Sequence, residues 1–253
     1  MMQQSPAHVS CIEAEWPAPS WVRAVTTTRR GGTGAPPFAG LNLADHVGDR
    51  PEVVASNRSL LKECLRLPNE PHWLDQRHGT TIVRSPFTPT NSKADGACTE
   101  QAGIVCAVLT ADCVPVLLCD HEGACVAAVH AGWRGLLSGV VQSALLTLQR
   151  PGDQILAWLG PAIGPQSYEV GADVRKAFLT TINTASEVFV PHRPGYWLTD
   201  LYGLVRHHLW QHGISKIYGG SYCTFSDPEN FFSHRRDGTT GRMASLIWLD
   251  GRP

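Results

Sequence analysis

GIVCAVLTADCVPVLLCDHEGACVAAVHAGWRG, residues 103–135, is the stretch that decides the fold. It contains three apolar runs, 103–109, 114–119 and 124–129, each about as long as a strand. Runs that stay apolar at every position are typical of strands buried on both faces. The stretch therefore predicts a central sheet covered on both sides by other elements.

Helix-like and strand-like segments flank this centre. Apolar spacing predicts helices over 51–65, 136–148 and near 171–180, and further strands over 21–27, 155–159, 216–218 and 245–249. Pro51 suits a first helical turn, and Thr199 is expected to cap a helix that runs to about Gln211. Since no long linker interrupts the chain, we expect one α/β domain over residues 1–253, a mixed β-sheet with flanking helices.

Composition argues against several classes of partner, although a local basic patch stays open. The formal net charge of -1 argues against a nucleic acid bound through phosphate neutralisation. No run approaches the roughly 20 apolar residues of a membrane span, and the amino terminus has no secretory signal pattern. The eight cysteines form no CxxC pair and are expected to stay reduced. We therefore expect a soluble cytoplasmic protein, and the sequence does not specify its oligomeric state.

Three short stretches each put one zinc-competent side chain at or near the end of an apolar run. These side chains are His78 in QRHG, Cys113 in TADCVP and His130 in HAGWRG. Three protein ligands leave the fourth position of tetrahedral zinc open, as catalytic sites require. Because separations of 35 and 17 residues are too long for a local zinc ribbon, only the fold could bring the three together.

Other interpretations of the same residues stay open at this stage. His130 could be a satisfied buried histidine, and Cys113 could be a nucleophile activated by His130 instead of a metal ligand. Arg134 carries a planar fork suited to phosphate or carboxylate, and the start of the following helix would favour the same anion. Its alternative role is a surface ion pair.

Motifs along nearly the whole chain resemble the YfiH-like family, also called the polyphenol oxidase or laccase-domain family. They are TTRRGG (27–32), LNLADHVGD (41–49), QRHG (76–79), TADCVP (110–115), HAGWRG (130–135), LGPAIGP (159–165), SHRRD (233–237) and TGR (240–242). The resemblance implies an α/β fold similar to the catalytic domain of cytotoxic necrotising factor, which has a Cys-His site. It also implies that His78, Cys113 and His130 hold zinc.

The resemblance further implies activity on purine nucleosides. The implied reactions are phosphorolysis of adenosine, inosine, guanosine and methylthioadenosine, and deamination of adenosine. The partners would be a purine nucleoside and phosphate, with Cys113, His130 and Arg134 as the catalytic group. Phosphorolysis itself needs an anion site, which Arg134, the helix start after Gly132 and Arg29 or Arg58 could supply, and Asn42 and Gln76 are hydrogen-bonding candidates for the ribose or base. Each of these residues could instead be loop scaffolding.

Two alternative functions follow from the same resemblance. In the first, Cys113 attacks an amide with His130 as base, which would suit removal of a misplaced serine from a UDP-linked muramic acid precursor. In the second, the protein is a copper laccase. Multicopper oxidation needs clustered histidines, whereas the 11 histidines here include no His-x-His. Copper could still occupy the site, because copper(II) outcompetes zinc for such ligands. A purely structural zinc site has four protein ligands, so three ligands argue against a structural role.

Overall fold

The computed structural model describes residues 9–181 and 185–251, which form thirteen strands and six α-helices. The strands are β1 (Cys11–Glu13), β2 (Val22–Thr27), β3 (Ile82–Arg84), β4 (Gly96–Thr99), β5 (Cys106–Thr110), β6 (Val114–Asp120), β7 (Val126–Ala131), β8 (Ile155–Leu159), β9 (Glu169–Gly171), β10 (Phe189–Arg193), β11 (Tyr196–Thr199), β12 (Lys216–Gly219) and β13 (Met243–Leu249). The helices are α1 (Pro51–Leu65), α2 (Trp133–Ser138), α3 (Val140–Leu148), α4 (Ala172–Thr181), α5 (Leu201–Gln211) and α6 (His234–Asp237).

The described strands form three sheets. The largest has the order β12-β8-β6-β7-β4-β3 and is mixed, because β12/β8 and β3/β4 are parallel whereas the other pairs are antiparallel. The second has the order β1-β2-β13-β5, and a three-stranded sheet has the order β10-β11-β9. The α/β class and the mixed sheet are confirmed.

The expectation of one sheet is wrong. All three central runs are buried strands, as predicted, but β5 pairs with β13 and not with β6. Between β5 and β6 the backbone of Asp112 has a φ of 98°, so the chain leaves one sheet and enters another. An apolar run tells that a strand is buried, but it does not tell which strand it pairs with.

The two larger sheets pack face to face. Leu117 and Cys119 of β6 share a core with Cys106 and Val108 of β5. Because side chains alternate along a strand, β6 turns its other residues toward a second core that includes α3, α4 and α5. α1 covers the outer face of the four-stranded sheet through Leu61. The layers are therefore helix, sheet, sheet, helix.

Two helix predictions need correction. The helix expected over 136–148 begins earlier, at Trp133, and is divided at Gly139, whose φ of 92° ends α2 before α3 starts. Thr199 is the last residue of β11, and the cap of α5 is Asp200, whose carboxylate accepts the Gly203 N–H at 2.9 Å. The helix Pro51–Leu65 is confirmed with its proline in the first turn. No described helix is long and apolar enough to cross a bilayer.

Strand register brings chemistry to one end of the six-stranded sheet. Pro115 of β6 pairs with His130 of β7, so Cys113 lies just before the start of one strand while His130 lies near the end of its neighbour. On the other side of β7, Gly96 pairs with Val129, which brings Asp95 beside His130. Residues far apart in sequence thus meet at this sheet end.

Candidate active site

The three predicted metal ligands lie together. The donor atoms of His78, Cys113 and His130 are all within 4.8 Å of one another, and the two imidazole rings are 4.7 Å apart between centroids. His130 is 3% exposed, Cys113 is half-buried and His78 is exposed. The cluster therefore has a buried floor and an open side, and it could hold a metal ion.

Asp95 organises two of these side chains. Its Oδ1 accepts a hydrogen bond from the His78 backbone N–H at 2.8 Å and contacts His130 Nδ1 at 2.9 Å. Its Oδ2 accepts the N–H groups of Arg77 and Gly79 at 3.2 and 2.6 Å. Three successive amides turned onto one carboxylate explain how His78 keeps its left-handed φ of 56°.

The same contact assigns the proton on His130. A carboxylate only accepts hydrogen bonds, so Nδ1 of His130 carries the hydrogen and Nε2 is left free for a metal or for Cys113. Sequence reasoning missed Asp95, which is 1% exposed. Its only signal was an acid directly before the short run of β4, and that pattern does not distinguish a buried acid from one in a surface turn.

The thiol of Cys113 is unusually acidic. Burial by itself raises its pKa, but the charge and hydrogen bond of His130 and the hydrogen bond of His78 lower it to about 6. Burial lowers the pKa of His130, yet Cys113 and Asp95 together raise it to about 9. Burial by itself raises the pKa of the Asp95 carboxyl, but the hydrogen bond to His130 and those from the Gly79 and Arg77 backbone lower it below its ordinary value. Both shifts favour the charged forms of the pair, a thiolate on Cys113 and an imidazolium on His130.

Iodoacetamide is therefore expected to modify Cys113 rapidly in the metal-free protein. Thiolate is the reactive form, so the rate should reach its plateau just above the pKa of about 6 and not rise further toward pH 9. Cys11, also half-buried, is the internal control, because burial raises its pKa to about 12. Peptide mass spectrometry measures both rates of modification. A rate for Cys113 that still rises between pH 8 and 9 would contradict the lowered pKa of its thiol.

The donor set fits tetrahedral zinc. Zinc bonds of about 2.0–2.3 Å to imidazole nitrogen and thiolate sulfur put ligand atoms roughly 3.3–3.8 Å apart, and the three donor atoms here lie within 4.8 Å of one another. Gly132 makes the approach possible, since a Cβ there would lie 2.8 Å from His78 Nδ1 and 3.0 Å from Cys113 Sγ. His78, Cys113 and His130 would hold the ion, and a fourth position would face the cavity.

A cavity of about 410 Å³ opens over the cluster. Gln76 and Arg134, two of the predicted substrate contacts, line it. Arg134 lies over the ring of Trp133, 4.2 Å from its centroid. Both polar atoms of the Gln76 amide are engaged by the backbone of Leu109, at 2.7 and 2.8 Å. Arg134 is thus free to meet a ligand, whereas Gln76 shapes the wall.

Asn42 does not reach the cavity. It is 0% exposed, and its amide bonds to Ala44, to the Arg242 N–H and to Asp49. The prediction that Asn42 binds ribose or base is therefore not supported, because all its polar atoms already hold loops of the protein together. The candidate came from a polar residue between leucines, a pattern shared by ligand contacts and internal braces.

Arg29 and Arg58 also lie outside the cavity. Arg29 donates to the carbonyls of Pro228 and Ala39 and lies over Phe232. Arg58 donates to the carbonyl of Leu43, lies over the ring of Trp73 and forms an ion pair with Asp45 at 3.5 Å. Both guanidiniums brace loops, so neither can supply the phosphate contact considered for them.

These features define an α/β protein with an open His/Cys/His centre at the end of a sheet. The family described as "Multi-copper polyphenol oxidoreductase laccase" matches residues 23–250. The chain therefore belongs to this family, the YfiH-like or laccase-domain family, as its motifs predicted.

Curated relatives and solved structures agree with this membership. A purine nucleoside phosphorylase of Pseudomonas aeruginosa is 48% identical, with 94% of this chain and 98% of that protein covered. The purine nucleoside phosphorylase YfiH of Escherichia coli K12 gives the same figures. The crystal structure of the Neisseria meningitidis protein NMB0706 has a TM-score of 0.91 at 44% identity, covering 95% of this chain and 99% of that one.

Proposed function

We propose that the protein is a zinc-dependent purine nucleoside phosphorylase that acts on adenosine, inosine, guanosine and methylthioadenosine and also deaminates adenosine. The named activity of relatives 48% identical over 94% of the chain supports the reaction class. The observation that carries the proposal is the convergence of His78, Cys113 and His130 at the floor of a cavity. The ligands leave one position open for chemistry, and the cavity leaves room for a nucleoside.

In phosphorolysis, an oxygen of hydrogen phosphate bonds to C1′ of the ribose while the bond from C1′ to the purine nitrogen breaks. The purine leaves with the bonding electron pair and takes up the proton that the phosphate gives up. Arg134 would hold phosphate in the cavity, since its guanidinium fork matches phosphate oxygens. Trp133, Ile163 and Leu109 would provide apolar walls for the flat base. When bound, zinc would supply a Lewis acid and a water of lowered pKa. Asp95 would keep Nε2 of His130 directed at the ligand cluster.

A second candidate is cysteine-dependent amide hydrolysis. Asp95 contacts His130 at 2.9 Å, and His130 is hydrogen-bonded to Cys113, whose thiol pKa is near 6 despite the burial that would raise it. Nucleophile, base and orienting carboxylate in this order match the logic of hydrolytic triads. This geometry favours amide hydrolysis as the alternative reaction, and the family resemblance suggests serine on a UDP-linked muramic acid precursor as its substrate.

Copper-dependent laccase activity has weaker support, although the family description includes it. Residues 9–181 and 185–251 contain one group of three potential ligands, the His78 cluster. Multicopper oxidation passes electrons among several copper ions. A single site of this composition would bind copper when exposed to it, because copper(II) outcompetes zinc for the same ligands.

The decisive experiment is to incubate metal-analysed protein with adenosine, with and without phosphate. Adenine and ribose-1-phosphate formed only with phosphate support phosphorolysis, and inosine formed in either buffer supports deamination. We expect removal of zinc by a chelator to lower both rates at least about tenfold, and added zinc to restore them. A protein that holds one zinc yet gives neither product would refute the proposal, and release of serine from a muramic acid peptide would then favour the hydrolase.

We also propose that residues 1–253 act as one domain, since residues as far apart in sequence as His46 and Arg242 line the same cavity. The similarity to the catalytic domain of cytotoxic necrotising factor stays a prediction from the motifs.

A further inference from the structure

The tail segment, residues 233–242, supplies two arginines to the cavity. Neither has a role in the function proposed above. Arg235 and Arg242 line it together with Arg134 and Cys113. Among the residues that the structure describes, none of the three arginines forms an ion pair with a carboxylate. Of the described residues that line the cavity, Asp112 alone carries a carboxylate.

Arg236 fixes the tail segment in place. It donates to the carbonyls of Thr224, Phe225 and Phe231, and its ion pair with Asp237 is 2.7 Å long. The neighbouring Arg235 is consequently held in place on the short helix α6. The segment thus divides its arginines between a structural role, taken by Arg236, and a cavity-facing role.

Arg235 is held beside the cysteine loop by two kinds of contact. Its backbone N–H donates to Asp112 Oδ2 at 2.6 Å, and Asp112 directly precedes Cys113. Its guanidinium donates from Nη1 to the carbonyl of Glu169 at 2.6 Å and lies 5.1 Å from the ring centroid of Tyr168. The fork is therefore oriented before any ligand arrives.

Arg242 reaches the same place from β13. The register pairs Met243 with Thr110, so Arg242 lies at the point where β5 ends and the chain continues to Cys113. Its Nη1 donates to the carbonyls of Thr240 and Gly241 at 2.8 and 2.9 Å. No side-chain hydrogen bond is recorded for Nε or Nη2 within the described chain, so these donors remain for a ligand.

We propose that Arg235 and Arg242, together with Arg134, bind a phosphate group next to the His78–Cys113–His130 cluster. Three oriented guanidiniums against one carboxylate leave an excess of positive charge, and the arginine fork matches tetrahedral oxyanions. The inference rests on the proposed function for its simplest ligand, inorganic phosphate as co-substrate. A phosphate carried by the substrate itself has the same chemistry.

Calorimetric titration of the zinc-loaded protein with inorganic phosphate, without nucleoside, tests this site. Arg235→Gln and Arg242→Gln are each expected to weaken binding about ten- to hundredfold. Arg206→Gln is the matched control, because Arg206 also donates to a carbonyl, that of Gly219, and lies over a tyrosine ring outside the cavity. Its phosphate affinity should be that of the unaltered protein. Arg242→Lys keeps the charge and guards against a folding defect, which thermal melting would reveal.

Titration with adenosine and with adenosine monophosphate separates the two sources of phosphate. Arginine-dependent binding of inorganic phosphate identifies the co-substrate site, whereas arginine-dependent binding of the monophosphate alone identifies a substrate-borne phosphate. Unchanged affinities in folded Arg235→Gln and Arg242→Gln, or no binding of either phosphate compound, would overturn the inference. If phosphate binds through these arginines but no phosphorolysis occurs, the proposed function fails and the anion site stands.

Discussion

Cys113→Ala is expected to lose both the bound zinc and the phosphorolysis of adenosine. The substitution leaves two histidine ligands, and a change that merely disturbs a ligand's support already costs about 10–100-fold in metal affinity or activity. We therefore expect more than about 100-fold loss of rate and less than one zinc per chain. Metal analysis after gel filtration and the adenosine assay with phosphate measure the two effects.

Cys223→Ala is the matched control for this change. Cys223 is also a half-buried free cysteine, it accepts the Gly164 N–H, and it lies outside the ligand cluster. Its variant should keep both zinc and activity. Full activity in Cys113→Ala would exclude Cys113 from the chemistry altogether.

Cys113→Asp separates the two roles left open for this thiol. Aspartate can ligate zinc at about 2.0–2.2 Å, but its carboxylate cannot replace the thiolate as attacking sulfur. If the variant keeps both zinc and measurable phosphorolysis, Cys113 acts as a ligand. Zinc retained with activity abolished would favour the nucleophile and, with it, the amide hydrolase.

Asp95→Asn is expected to have the second largest effect. Both carboxylate oxygens of Asp95 accept hydrogen bonds from two donors each, so an amide NH2 at either position would face N–H groups. We expect about 3–5 kcal/mol less stability, as for the loss of one partner from a buried pair. Zinc affinity should fall about 10–100-fold because His130 loses its orienting acceptor. Chemical denaturation and competition with a zinc chelator measure these quantities.

Asp120→Asn distinguishes the orienting role from a general loss of stability. Asp120 is likewise buried and accepts two backbone N–H groups, from Ala124 and Cys125, and it approaches Arg150. Its variant should lose stability while zinc affinity is unchanged in the folded protein. Equal zinc affinity in the two variants would rule out the orienting role of Asp95.

The central strands could be predicted because burial on both faces leaves a direct record in the residues themselves. Every position of β6 and β7 is buried, and their runs are apolar throughout. The ligand types were also readable, since imidazole and thiolate are the groups that zinc prefers. Sheet membership could not be predicted from the sequence. β5 pairs with a strand more than 130 residues later, and the turn at Asp112 then takes the chain from that sheet into the next one.

The amino-acid sequence by itself determined the α/β class, the three candidate ligands and Arg134, because composition and local pattern are properties of short segments. Only the tertiary structure decided that Asp95 holds His78 and His130, that Asn42 is an internal brace, and that Arg235 and Arg242 face the cavity. Each of these roles depends on which distant segments the strand register brings together. The pairing of strands is set by the packing of the whole chain, so the sequence of a single segment does not predict it.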